Sequence, residues 1–177
     1  MLSKTMEKAL NKQINAEIYS AYLYKSMSAN FVSKGLKGVA NWLHVQMLEE
    51  MIHAQKLYDY ILERGGKVTL APIPGPPGDW DTPLAAFRDA YAHERKITGM
   101  INDLVNLALK ESDHATNSFL KWFVDEQVEE ETNSSAVVQQ LELAGDAPGA
   151  LFIIDRELAT RVFVPPPAPG EAAPAQA

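Results

Sequence analysis

The sequence predicts an all-α fold, a four-helix bundle with a long crossover between its second and third helices and a short fifth helix. Three observations predict it. Four long stretches repeat apolar residues at steps of three and four, the period of a helix with one buried face. Short polar turns join the first stretch to the second and the third to the fourth, which makes each pair antiparallel neighbours. Between the two pairs, residues 65–82 are too rich in proline to be helical.

Each element can be justified in turn. Ser3 is the N-cap of the first helix with Glu7 close behind, and the helix runs to about Ser33, with Gly35 just past its end. Its stripe is Leu10, Ile14, Glu17, Ala21, Tyr24, Ser28 and Phe31. After the turn Lys34–Gly38, the second helix extends from Gly38 to Arg64 and stops at Gly65-Gly66. Its stripe is Val39, Leu43, Gln46, Glu50, His53, Leu57 and Tyr60.

The stretch 65–82 reads either as an interdomain linker or as a crossover. Each hairpin carries an apolar face that needs the other, which favours the crossover. Length agrees: a helix of about 28 residues spans ~42 Å, and about eighteen extended residues reach at most ~60 Å.

The third helix starts at Thr82-Pro83, a cap followed by a first-turn proline, and runs to about Lys110. Its stripe is Leu84, Phe87, Tyr91, Glu94, Thr98, Ile101, Val105 and Ala108. Asp113 caps the fourth helix, which ends at Ala144-Gly145 and carries Leu120, Phe123, Gln127, Glu130, Ser134, Val137 and Leu141. A short amphipathic segment follows from Ala150 to Phe163, with Leu151, Ile154, Leu158 and Val162 on one side. Residues 1–164 thus read as one domain and 165–177 as a disordered Pro/Ala-rich tail.

Composition narrows the function. The 177 residues carry a net charge of -7, which argues against nucleic acid or an anionic membrane as a partner. With no cysteine, a metal site must use oxygen and imidazole, suited to iron, manganese or zinc. The segment Met1–Lys8 lacks the apolar core of a signal peptide, and no stretch is apolar enough to span a bilayer, so a cytoplasmic protein is the expectation.

Every stripe is interrupted near its midpoint by polar residues: Glu17, then Glu50 with His53, then Glu94, then Gln127 with Glu130. In an antiparallel bundle the helix midpoints share one level, so these side chains should meet. Four carboxylates without cations would repel one another and resist desolvation, and no stripe position at this level holds Lys or Arg. A pair of divalent cations removes both penalties. Four glutamates and one imidazole can hold two metals and leave positions open for a substrate. The bland alternative is a chance set of partly solvated polar residues.

The set Glu17, Glu50-x-x-His53, Glu94 and Gln127-x-x-Glu130 resembles the dinuclear ferroxidase centre of haem-free prokaryotic ferritins, over residues 3 to about 163. Related carboxylate bundles have a second Glu-x-x-His. Here no histidine follows His114, which separates the chain from bacterioferritins and rubrerythrins. The resemblance implies an Fe(II)-oxidising subunit that stores ferric mineral in a shell of about 24 copies. It implies one iron on Glu17, Glu50 and His53 and a second on Glu50, Glu94 and Glu130, with Glu50 bridging. Gln127 would orient a ligand by hydrogen bonding, and dioxygen or peroxide would be the oxidant.

The same resemblance makes Glu49, Glu126 and Glu129 a third iron site that shares Glu130, with a solvated acidic face as the rival. It makes Tyr24 a redox-active tyrosine. Trp122 reads as packing near this level. Met51 stands where bacterioferritins place a haem ligand but reads as interface packing, so no haem is expected. His44, His93 and His114 read as surface residues. Two alternatives of other kinds are a haem-bearing storage protein and a non-catalytic structural shell protein that binds zinc.

Overall fold

The computed structural model describes residues 2–165, and the expected disordered tail falls almost wholly outside them. Among the described residues there are five helices and no strand: α1 (Lys4–Ser33), α2 (Lys37–Glu63), α3 (Pro83–Lys110), α4 (His114–Ala144) and α5 (Pro148–Leu158).

The termini follow local chemistry. Ser3 accepts from Met6 N at 3.0 Å, Thr82 from Ala85 N at 3.1 Å, and Asp113 from Thr116 N at 3.1 Å, each satisfying an otherwise unpaired first-turn donor. Gly35, at φ 79, takes the left-handed conformation that closes the α1–α2 turn, and Leu36 N bonds Phe31 O behind it. The N-cap of α2 is Leu36, which offers no side-chain hydrogen bond. Asp155 of α5 supplies it instead, accepting from Val39 N at 2.9 Å. The helices approach so closely there that a Cβ on Gly38 would lie 1.5 Å from Asp155 O.

Residues 66–80 run as an extended crossover along α1. Lys67 N donates to Glu7 Oε2 and Thr69 N to Asn11 Oδ1 at one end. Ser26 donates to Pro77 O and Asn30 to Trp80 O at the other. Trp80 is buried and anchors the stretch before α3 begins. The crossover reading is the correct one, and the bundle is closed by both hairpins.

The hydrophobic core is split in two. One cluster holds Tyr24, Met27, Phe31, Leu43, Phe87 and Leu141 among others, and the second holds Met6, Leu10, Leu57, Ile61, Ile101 and Phe123. Burying each such side chain contributes about 1.5–3 kcal/mol. Between the clusters lies the polar layer that the interrupted stripes describe.

Two expectations need correction. On α3 the buried residues include Ala86, Ala90, Ile97 and Leu104 alongside Phe87, Glu94, Ile101 and Ala108, while Leu84, Tyr91, Thr98 and Val105 sit only half-buried beside the core. The helix is rotated towards its alanines, which carry little hydrophobic signal but allow close approach. The fifth helix begins at Pro148 rather than Ala150 and stops at Leu158 rather than Phe163. Ile154 and Leu158 are buried against the bundle, whereas Val162 is 74% exposed.

Candidate metal centre

Glu17, Glu50, His53, Glu94, Gln127 and Glu130 are each at most 4% exposed, and they lie together between the two apolar clusters. The helix period explains this. Glu50 and His53 are three residues apart on α2, as are Gln127 and Glu130 on α4, so each pair shares one inward face.

Ligand atoms of Glu17, Glu50 and His53 lie within 4.8 Å of one another, as do those of His53, Glu126 and Glu130. His53 Nδ1 is 3.5 Å from Glu50 Oε2, and Nε2 is 3.9 Å from Glu126 Oε1. The imidazole therefore stands between the inner carboxylates and the acidic face of α4. Trp122 and Phe123 hold its ring edge-on at centroid distances of 5.4 and 6.2 Å. Trp122 thus packs against a site residue, with Lys56 4.3 Å over its outer face.

Amides and a phenol satisfy most carboxylate oxygens. Gln13 Nε2 donates to Glu17 Oε1 at 2.8 Å, and Gln46 Nε2 donates to Glu130 Oε2 at 2.5 Å and to Glu50 Oε1 at 3.5 Å. The Tyr24 hydroxyl donates to Glu94 Oε1, and Gln127 Nε2 donates to Glu94 Oε2 at 3.4 Å. Among the described residues, Glu17 Oε2 is buried with no hydrogen-bond partner. An orphaned carboxylate oxygen beside a second carboxylate and an imidazole suits a cation.

The electrostatics agree. Burial, then the Glu50 charge, pushes Glu17 up to about 8. Burial and then Glu94 push Glu130 up to about 8. Glu50 is driven well above the usual carboxylate range by burial and by Glu94 and Glu130. Burial raises Glu94 to about 7, with the Tyr24 and Gln127 hydrogen bonds opposing. Without cations, the layer is neutral enough to persist only because it holds protons.

The outer acidic residues separate. Glu126 and Glu49 are half-buried on the α4 and α2 sides, and burial raises both carboxyls. Glu129 is exposed and belongs to neither close cluster. Glu49 is paired with Arg161, whose Nη2 donates to Glu49 Oε2 at 2.5 Å. Sequence reasoning found the four helical carboxylates but missed this cation, and it left the roles of Gln13 and Gln46 unassigned. An amide four residues before an inward Glu, Gln13 before Glu17 and Gln46 before Glu50, was the available signal. For Arg161 there was none.

His93 also departs from expectation. It is half-buried rather than a surface residue, its Nε2 is 2.7 Å from Ser20 Oγ, and burial with the Lys96 charge pushes it down to about 4. His44 is likewise half-buried and His114 is exposed, as expected of a surface residue, and neither belongs to a close cluster of ligand atoms.

Comparison with known proteins agrees with the geometry. A family model described as ferritin-like domain matches residues 7–144. The chain is 42% identical over 161 residues to a bacterial non-heme ferritin of Bacteroides fragilis, covering 91% of this chain and 100% of that protein. It is 40% identical over 163 residues to one from Staphylococcus saprophyticus, covering 92% and 98%. Among solved structures, an open pore ferritin from the archaeon Archaeoglobus fulgidus superimposes with a TM-score of 0.91 at 51% identity, covering 92% of this chain and 100% of that one. With its bundle, its crossover and its buried carboxylate layer, the chain belongs to the ferritin family.

Proposed function

We propose that this protein oxidises Fe(II) at the buried carboxylate layer and stores the ferric product inside a shell of about 24 copies. Iron storage is the business of the family to which the chain belongs. Two observations carry the oxidase reading together: ligand atoms of Glu17, Glu50 and His53 lie within 4.8 Å of one another, and Glu17 Oε2 is buried with no hydrogen-bond partner. The relatives' names, non-heme ferritin, support a haem-free centre.

In this reading, Fe(II) is the substrate. One ion is held by Glu17, Glu50 and His53, and a second by Glu50, Glu94 and Glu130, with Glu50 shared. Two Fe(II) each give one electron to dioxygen, which takes up two protons and leaves as hydrogen peroxide. Cation binding displaces the protons that the raised carboxyls of Glu17, Glu94 and Glu130 hold near neutral pH. Gln127, bonded to Glu94 and 3.3 Å from Thr98 Oγ1, orients Glu94 and a bound oxygen species. Tyr24, hydrogen-bonded to Glu94, is in this reading the redox-active tyrosine beside the centre. Glu49, Glu126 and Glu129 are a third, outer cation site.

Self-assembly is supported by apolar side chains that the single subunit leaves outside. Phe152 and Ile153 of α5 are 63% and 67% exposed, and Tyr22, Met51 and Leu62 are about half exposed. In this reading, that surface packs against further copies of the chain. Among the described residues, no helix is long and apolar enough to cross a membrane.

The direct test is oxygen uptake. Metal-free protein given Fe(II) should consume dioxygen far faster than buffer with the same iron, and gel filtration should show a large shell. Uptake at the buffer rate would remove the oxidase reading.

A further inference from the structure

Beyond α5 the chain returns to the centre. Asn41 Nδ2 donates to the backbone oxygens of Leu158, Ala159 and Arg161 at 3.3, 3.4 and 2.9 Å, which fixes this segment against α2. The Arg161 guanidinium lies 4.2 Å over the Trp42 ring. From there it donates to Gln46 Oε1 at 2.8 Å and to Glu49 Oε2 at 2.5 Å.

These two bonds have different consequences. With its oxygen held by the guanidinium, Gln46 can present only its NH2 group to the other side, where it meets Glu130 and Glu50. A flipped amide would set its NH2 against the guanidinium and leave that N–H of Arg161 without its acceptor. Glu49, meanwhile, already has a cation. The ion pair is partly shielded, with side chains 19% and 26% exposed, and is held in place by the Trp42 stack.

We propose that Arg161 is a positioning residue and a tethered competitor for cations: it aims the Gln46 amide at Glu130 and occupies Glu49, so a metal ion reaches Glu49 only by displacing the guanidinium. This rests on the reading of the carboxylate layer as a metal centre. The inner positions, which Arg161 leaves open, fill first. The outer position at Glu49 fills last, and its filling loosens the segment that follows α5.

Co(II) is the probe, with binding to the metal-free shell measured by calorimetry for wild type, Arg161→Gln and Arg161→Lys. The last and weakest Co(II) should bind at least about fivefold tighter in Arg161→Gln, the effect of removing one partly screened competing charge. Arg161→Lys, which keeps the charge beside Glu49, should return this step to the wild-type affinity. A merely structural role predicts loosened sites and cannot tighten one. Equal or weaker binding of the last Co(II) in Arg161→Gln overturns the proposal. Should that variant not assemble, wild-type crystals soaked in Co(II) give the same answer. An anomalous peak on Glu49 must come with the guanidinium withdrawn, and a peak there with the ion pair intact overturns it. Failure of Co(II) to bind at Glu17, Glu50 and His53 in wild type would instead overturn the metal-centre reading itself.

Discussion

The Tyr24 hydroxyl donates to the Glu94 carboxylate, tying α1 to α3 across the polar layer. Burial and the Glu94 charge hold the phenol well above its usual pKa, so it remains a donor. In return the bond draws Glu94 down against the effect of burial. Tyr24→Phe should therefore raise the Glu94 carboxyl above its present value of about 7. It should cost about 1–2 kcal/mol of stability and slow later rounds of Fe(II) oxidation more than the first. Infrared titration of the carboxyl band and repeated iron additions check the two parts.

The raised carboxyls make stability depend on pH with a definite sign. Glu17 and Glu130 titrate near 8 and Glu94 near 7 in the metal-free fold, against 4.5 when unfolded. Between those values the folded chain binds more protons than the unfolded one, so unfolding becomes easier as pH rises. The metal-free protein should melt at a progressively lower temperature from about pH 5 to about pH 8. Added Zn(II) should reverse the trend, since cations bind better once the protons leave. Scanning calorimetry with and without Zn(II) measures both slopes.

Adjacent glutamates on α4 should behave differently. Glu130 is buried and accepts from Gln46, whereas Glu129, turned by about 100°, is exposed. Glu130→Ala should abolish binding of one inner cation and slow the fast phase of oxidation at least tenfold, about 1.4 kcal/mol in the barrier. Glu129→Ala should leave both inner cations and the fast phase intact, changing only the outer site. Equilibrium dialysis with Co(II), paired with stopped-flow oxidation, separates the two. Equal mild effects would mean that the charges act only as a general acidic field.

His53→Ala removes the one imidazole of the proposed centre and should eliminate the fast phase. It should also destabilise the metal-free protein, because the ring is buried against Trp122 and Phe123. Loss of a packed ring of this size costs about 2–4 kcal/mol. Denaturant unfolding of the metal-free variant gives that figure, and circular dichroism checks that the helices remain.

How far the sequence could be read depended on the kind of signal. On α1, α2 and α4 every stripe residue named from periodicity is buried, including the glutamates, because large apolar neighbours fix the inward face. On α3 the alternatives were nearly balanced. Ala86 and Ala90 point inwards, and their small side chains could not outweigh Leu84 and Tyr91 in a periodic pattern. Only helical spacing could put Glu17, Glu50, Glu94 and Glu130 at one level, and it did. Arg161 lies beyond α5, where no period applies, and its pairing with Glu49 depends on how Asp155 and Asn41 dock that segment. The helical part of α5 ends at Leu158, four residues short of Val162, to which its apolar spacing continues.

The most direct measurement is the position of bound iron. Crystals soaked anaerobically in Fe(II), with data collected at the iron edge, should show about two strong anomalous peaks per subunit between the apolar clusters. One should lie on Glu17, Glu50 and His53, and the other on Glu50, Glu94 and Glu130. Peaks confined to the exposed acidic face around Glu126 and Glu129, with none in the buried layer, would contradict the assignment of a dinuclear centre.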